Sequence, residues 1–208
     1  DAYRMEIVYS TVSHTSFPAL LRQVKLTNKT KEKARVEILD GLPVFFPHGL
    51  SNVVYKEMVF LMAAYCVVRG NENNQPFVKF KTSTGDNPIV TESKDGHGFA
   101  AVDQNGSFLK TIVDPSCVFG SDPSLMTAHP FMDQDGLQFE GQTQQTENKL
   151  PCAFVHKEVE IEGEGSYSFA EIYGRWDDEA KFQEALKDFG VQKAEEYRKQ
   201  TALLLKEL

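Results

Sequence analysis

Apolar and polar positions alternate with a period of two along residues 20–26 and again along 34–39. In the first run Leu20, Val24 and Leu26 share one face, and Leu21, Gln23 and Lys25 share the other. In the second, Ala34, Val36 and Ile38 point one way, with Arg35 and Glu37 opposite. This period predicts strands with one wet face. Residues 27–33 between them are polar and few, which predicts a hairpin connection. Asp40-Gly41-Leu42-Pro43 and Pro47-His48-Gly49 then stop regular pairing.

Similar short runs recur at 4–9, 63–69, 77–81, 89–92, 98–102, 108–113, 152–161 and 167–173. Turn chemistry separates many of them, as at 70–75, Gly85, 94–96, 103–106 and Gly163-Glu164-Gly165. Regularly spaced short strands of this kind predict a mainly β, antiparallel sandwich or barrel. Ser51 can cap a short helical turn over 52–60. From 120 to 151 the pattern dissolves into Ser, Asp, Pro, Gln and Thr, as expected of a functional, interface or mobile loop.

After Gly174 the period changes. Asp177-Asp178-Glu179 opens a helix, Phe182, Leu186 and Phe189 recur at helical spacing, and Gly190 stops it. Ala194, Tyr197, Leu204, Leu205 and Leu208 form a second stripe. An apolar stripe still unspent at the end of the chain predicts a packing partner beyond it or in another subunit.

Composition narrows the choices. Among 208 residues, 41% are hydrophobic and fifteen are Phe, enough for a sizeable core. A net charge of −8 with no basic stripe disfavours nucleic acid and anionic membranes as partners. No run reaches the length of a membrane span. Cys66, Cys117 and Cys152 fit neither a disulfide framework nor zinc spacing and are expected as buried thiols. The chain opens at Asp1 without Met or a signal-like segment. It is expected to be a piece of a longer, cytoplasmic protein, with a secreted or periplasmic parent left open. Asn28-Lys29-Thr30 and Asn105-Gly106-Ser107 fit the glycosylation triplet, which arises easily by chance.

Candidate chemistry is sparse. None of His14, His48, His97, His129 and His156 has metal-ligand spacing, so no metal or other cofactor is expected. There is no nucleophile elbow and no phosphate-cradling glycine loop. Asp114, Asp122, Asp133 and Asp135 cluster near the irregular segment, where a carboxylate pair would serve sugar chemistry; the simpler reading is solvated loop acids. Trp176, Phe45, Phe46 and Phe131 lie near glycines, prolines or loops and are the candidates for stacking on a sugar. Their simpler reading is as cover for the seam between sheets and helices.

Three stretches bring a family to mind. They are 26–30 (Leu-Thr-Asn-Lys-Thr), 36–43 (Val-Glu-Ile-Leu-Asp-Gly-Leu-Pro) with Pro47-His48-Gly49-Leu50, and Ile112-Val113-Asp114-Pro115 with Val118-Phe119-Gly120. In order and spacing the chain resembles the amino-terminal region of cellobiose-phosphorylase-like proteins, inverting disaccharide phosphorylases and related glycoside-hydrolase-like enzymes. The resemblance implies an antiparallel β-supersandwich of the galactose-mutarotase class over residues 1–174. It also implies a helical linker over 175–208, leading to an (α/α)6 barrel. In that family the barrel carries the catalytic acid, so no catalytic residue transfers here. The implied role is a non-catalytic module supporting a downstream catalytic barrel and subunit contacts, with a homodimer among its possible assemblies. The rival readings are a carbohydrate-binding module using Trp176 and the loop aromatics, and a mutarotase-like isomerase using His97 and His129.

Overall fold

A computed structural model of the chain describes residues 1–83, 88–132 and 142–207. Its strands are β1 (Tyr3–Thr11), β2 (Ala19–Asn28), β3 (Ala34–Leu42), β4 (Cys66–Arg69), β5 (Phe77–Phe80), β6 (Gly96–Asp103), β7 (Lys110–Ile112), β8 (Ala153–Ile161) and β9 (Ser166–Trp176). The helices are α1 (Asn52–Tyr65), α2 (Pro115–Phe119), α3 (His129–Met132), α4 (Glu179–Leu186) and α5 (Val191–Glu207). Among the described residues the strands form two antiparallel sheets, ordered β1-β2-β9-β6-β5-β4 and β3-β8-β7. No described helix is long and apolar enough to cross a membrane.

The two sheets share a core. Val24 and Leu26 of β2, Phe99 of β6 and Phe169 of β9 meet Ala153, Val155 and Ile161 of β8, with Val36 and Ile38 of β3 packed against them. A second core covers the outer face of the larger sheet, where Leu21, Phe77, Ala100, Val102 and Ile172 pack against Phe182, Leu186, Phe189 and Ala194 of the terminal helices. A third, with Ile112, Val118, Phe119 and Cys152, backs the smaller sheet. Helices therefore flank both sheets.

This layering corrects the expectation of one wet face. Leu21 is fully buried although it stands opposite Val24 in the alternation, because α4 and α5 cover that side. Gly98 shows how closely they approach: a Cβ there would lie 2.8 Å from the Phe182 ring.

The connection over 27–33 is not a hairpin. β2 pairs with β1 and β9, whereas β3 pairs with β8, so the chain crosses from one sheet to the other. The crossing sets the apolar faces of β2 and β3 against one another, where pairing side by side would have left both open. Asn28 pins this corner. Its Nδ2 donates to the carbonyls of Glu32 (2.8 Å) and Glu162 (3.2 Å), and its Oδ1 accepts from Thr30 N–H (3.0 Å). Being fully buried, it is no glycosylation acceptor in this fold.

Other boundaries shift as well. Residues 63–65 finish α1 and only 66–69 are strand, and 89–92 form no strand. β9 runs two residues past Gly174. Ser51 caps α1 as expected, its Oγ accepting from Val54 N–H at 3.2 Å. Asp178 caps α4 in the same manner, accepting from Lys181 N–H at 2.8 Å. Helix α2 was not anticipated, although Asp114 as cap and Pro115 at the first position are a recognised start signal. Gly85, Asp133, Asp135 and Leu208 lie outside the described residues. Cys66 and Cys152 are buried thiols while Cys117 is half-buried, and burial pushes the Cys66 thiol up to about 12.

Candidate functional site

Strand register brings four residues into one row across the inner face of the larger sheet. Tyr9 lies opposite Arg22, Arg22 opposite Glu171, and Glu171 opposite Ala101. Arg22 falls there because it shares the parity of Leu20 and Val24. Its guanidinium donates to Glu171 Oε2 at 2.9 Å, to the Tyr9 hydroxyl at 3.0 Å, and to Asp40, which reaches down from β3. One half-buried cation thus ties together both sheets.

Glu171 is 1% exposed, and its Oε1 has no hydrogen bond of good geometry among the described residues. Burial first, and then the Asp40 charge, push its carboxyl up to about 7, against the pull of Arg22. Burial works against the Arg22 charge, but its hydrogen bonds to Asp40 and Glu171 outweigh that and raise the guanidinium pKa. Burial and the Glu171 charge likewise hold the Tyr173 phenol well above its usual value.

A pH dependence follows. A carboxyl that ionises near 4.5 in the unfolded chain and near 7 in the folded one binds more protons when folded between those values. Its contribution to stability is therefore full below about pH 4.5 and is lost as pH rises through about 7. Urea denaturation at pH 5 and pH 8 should show that loss, and Glu171→Gln should flatten it.

One row further along the sheet, Leu20, Tyr173, Phe45, His97 and Arg175 line a shallow hollow of about 390 Å³. His97 Nδ1 lies 2.7 Å from the Phe46 carbonyl oxygen and so carries the donated proton. Burial lowers the His97 pKa, so the ring is neutral near pH 7. The rim is ionic: Asp95 Oδ2 meets Arg175 at 3.2 Å and His48 at 3.5 Å.

Geometry limits what this set can do. Glu171 lies opposite Ala101, four positions along β6 from His97. At about 3.3 Å per residue the two groups stand roughly 13 Å apart, too far to act as acid and base on one sugar ring. His129 begins α3 in the layer behind the smaller sheet, so the structure does not bring it together with His97. Asp114 is spent on caps and an ion pair, accepting from Ser116 N–H and Gln145 N–H and meeting Lys149 at 2.5 Å. Asp122 caps its own turn at Ser124. Among the described residues no three His, Cys, Asp or Glu side chains gather as metal ligands.

The candidate sugar-stacking aromatics do not converge. Trp176 is 2% exposed, wedged between Phe17 and Phe182 in the outer core. Phe45 belongs to the core between the sheets, Phe46 packs against Tyr55, and Phe131 leans on the core behind the smaller sheet. The residues that sequence reading missed are Arg22, Asp40 and Glu171. The signal was Arg22 itself, a charge at an inner position of an alternating strand.

No protein-family model matches the chain, and no curated protein matches it.

Proposed function

We propose that this chain is a non-catalytic β-sandwich module of a carbohydrate-active enzyme of phosphorylase or hydrolase type, built as a β-supersandwich of the mutarotase class. Its work is to pack against a downstream helical catalytic domain. The family resemblance and the facing antiparallel sheets with terminal helices support this reading. The observation that carries it is α1.

A helix with apolar residues on most of its sides calls for cover. α1, kinked at Met58, carries Val53, Val54, Val59, Phe60, Leu61, Met62 and Tyr65 beside only two charges, Lys56 and Glu57, yet Met62 alone among the described side chains is buried. Phe60 is 89% exposed and Val53 70%. Leu203 and Leu205 on the last turns of α5 are also exposed. Such surface needs cover, and a second domain supplies it. The inner-face ions fit this role: Arg22 and its carboxylates lock the two sheets together, and Glu171 and His97 stand too far apart to act on one substrate.

The chain alone should therefore turn over no disaccharide in phosphorolysis or hydrolysis assays. Measurable turnover, lost on Glu171→Gln, would overturn the reading. Phe60→Ser should change unfolding free energy by less than about 0.5 kcal/mol, because the ring touches little in this chain. The same change should visibly reduce binding of a hydrophobic dye.

A further inference from the structure

β1 is an edge of the six-stranded sheet with no described strand beyond it, and its hydrogen bonds reveal which backbone groups are unspent. Lys29 N–H donates to the Ala2 carbonyl at 2.8 Å, and Val12 N–H to the Ala19 carbonyl at 3.2 Å. Along an antiparallel pair, residues exchange both bonds with their opposite or neither, in alternation. Even-numbered residues of β1 thus spend their backbone groups on β2. Those of Tyr3, Met5, Ile7, Tyr9 and Thr11 point out of the edge, where Thr11 O already accepts from Thr201 Oγ1 at 2.8 Å.

Exposed edges are normally blunted by lysine, proline or a bulge. β1 runs for nine residues with none of these. Its two charges, Arg4 and Glu6, neutralise each other at 2.7 Å. The side chains of Tyr3, Met5, Ile7 and Tyr9 stand on the inner face beyond the cover of the smaller sheet, with Met5 61% and Tyr9 62% exposed.

We propose that β1 pairs antiparallel with β1 of a second copy of this chain, about a two-fold axis at Ile7. That axis sets Met5 opposite Tyr9 of the partner subunit and Ile7 opposite itself, so apolar residues meet apolar ones on the inner face. Arg4 then faces Ser10 of the partner subunit, and Glu6 faces Val8 of the partner subunit, with no like charges opposed. An axis at Glu6 would oppose two carboxylates, and an axis at Met5 or Tyr9 would pair only part of the strand. The central outward residues supply about six backbone hydrogen bonds across the axis. The two-fold uses both open edges and closes the assembly, which a foreign strand would not do. This surface is separate from α1, and the inference does not rest on the reading of α1.

Sedimentation velocity on the intact chain at tens of micromolar should give a dimer. Ile7→Pro removes only an outward N–H and should give a monomer whose melting temperature matches that of the wild-type chain diluted until it dissociates. Val8→Pro removes an amide spent on β2 and should lower the melting temperature. In a Cys117→Ser background, Ile7→Cys should cross-link under mild oxidation, since a hydrogen-bonded pair holds its Cα atoms about 5.5 Å apart. Tyr3→Cys, opposite Thr11 of the partner subunit, should not. A monomeric wild-type chain, a dimer that survives Ile7→Pro, or equal cross-linking of the two cysteine variants would each overturn the proposal.

Discussion

Arg22→Ala should cost about 3–5 kcal/mol of stability, measured by urea denaturation at neutral pH. The side chain is the only cation hydrogen-bonded to Asp40 and Glu171 among the described residues, and Glu171 is almost fully buried. Removing it leaves two carboxylates close together in an apolar core. Part of the cost is relieved if Glu171 takes up a proton, so the loss should be larger at pH 8 than at pH 5. Replacing Arg22, Asp40 and Glu171 together with apolar residues of similar volume should recover most of it, because a buried ion network repays little of its desolvation. A single substitution costing less than 1 kcal/mol would mean that the network does not hold the sheets together.

Phe182→Ala should be comparably severe, at about 3–5 kcal/mol. Its ring is fully buried and lies against Gly98, against Phe77 at 5.9 Å between ring centroids, and against Trp176 at 4.6 Å. Gly98 has no side chain with which to refill the space, so the cavity would persist. Leu205→Ala, on an exposed turn of α5, should be nearly neutral. The contrast matters for organisation: α4 and the first turns of α5 complete the outer core of the larger sheet. A chain cut after Gly174 should fail to fold, as judged by the absence of a cooperative melt.

Much of this arrangement was legible in the sequence. The inner positions Val24 and Leu26 of β2 and Val36 and Ile38 of β3, the caps at Ser51 and Asp178, and the stripe of Phe182, Leu186 and Phe189 follow from local chemistry, whereas the burial of Leu21 does not. What escaped was non-local. Residues 27–33 are short enough for a hairpin, which would also set the even-numbered residues of both strands on one face, so only the strand pairing reveals the crossing to another sheet. Residues 63–69 are a short apolar run, which periodicity cannot assign between helix and strand. Structure divides it at Cys66. The site was the least legible part, since Arg22 and Glu171 are 149 residues apart in the chain and meet only through strand pairing. Trp176 drew attention as a lone tryptophan near glycine, but it ends β9 as a paired strand residue and α4 sets Phe182 against its ring.

The uncovered apolar helix α1 is the centre of the functional account, and amide hydrogen exchange reads its cover directly. If α1 docks on a helical domain as proposed, exchange over Asn52–Tyr65 should be fast in this chain alone and slowed at least tenfold when that domain is joined to it and covers Phe60 and Val53. Equal exchange in both would contradict the role proposed for this module.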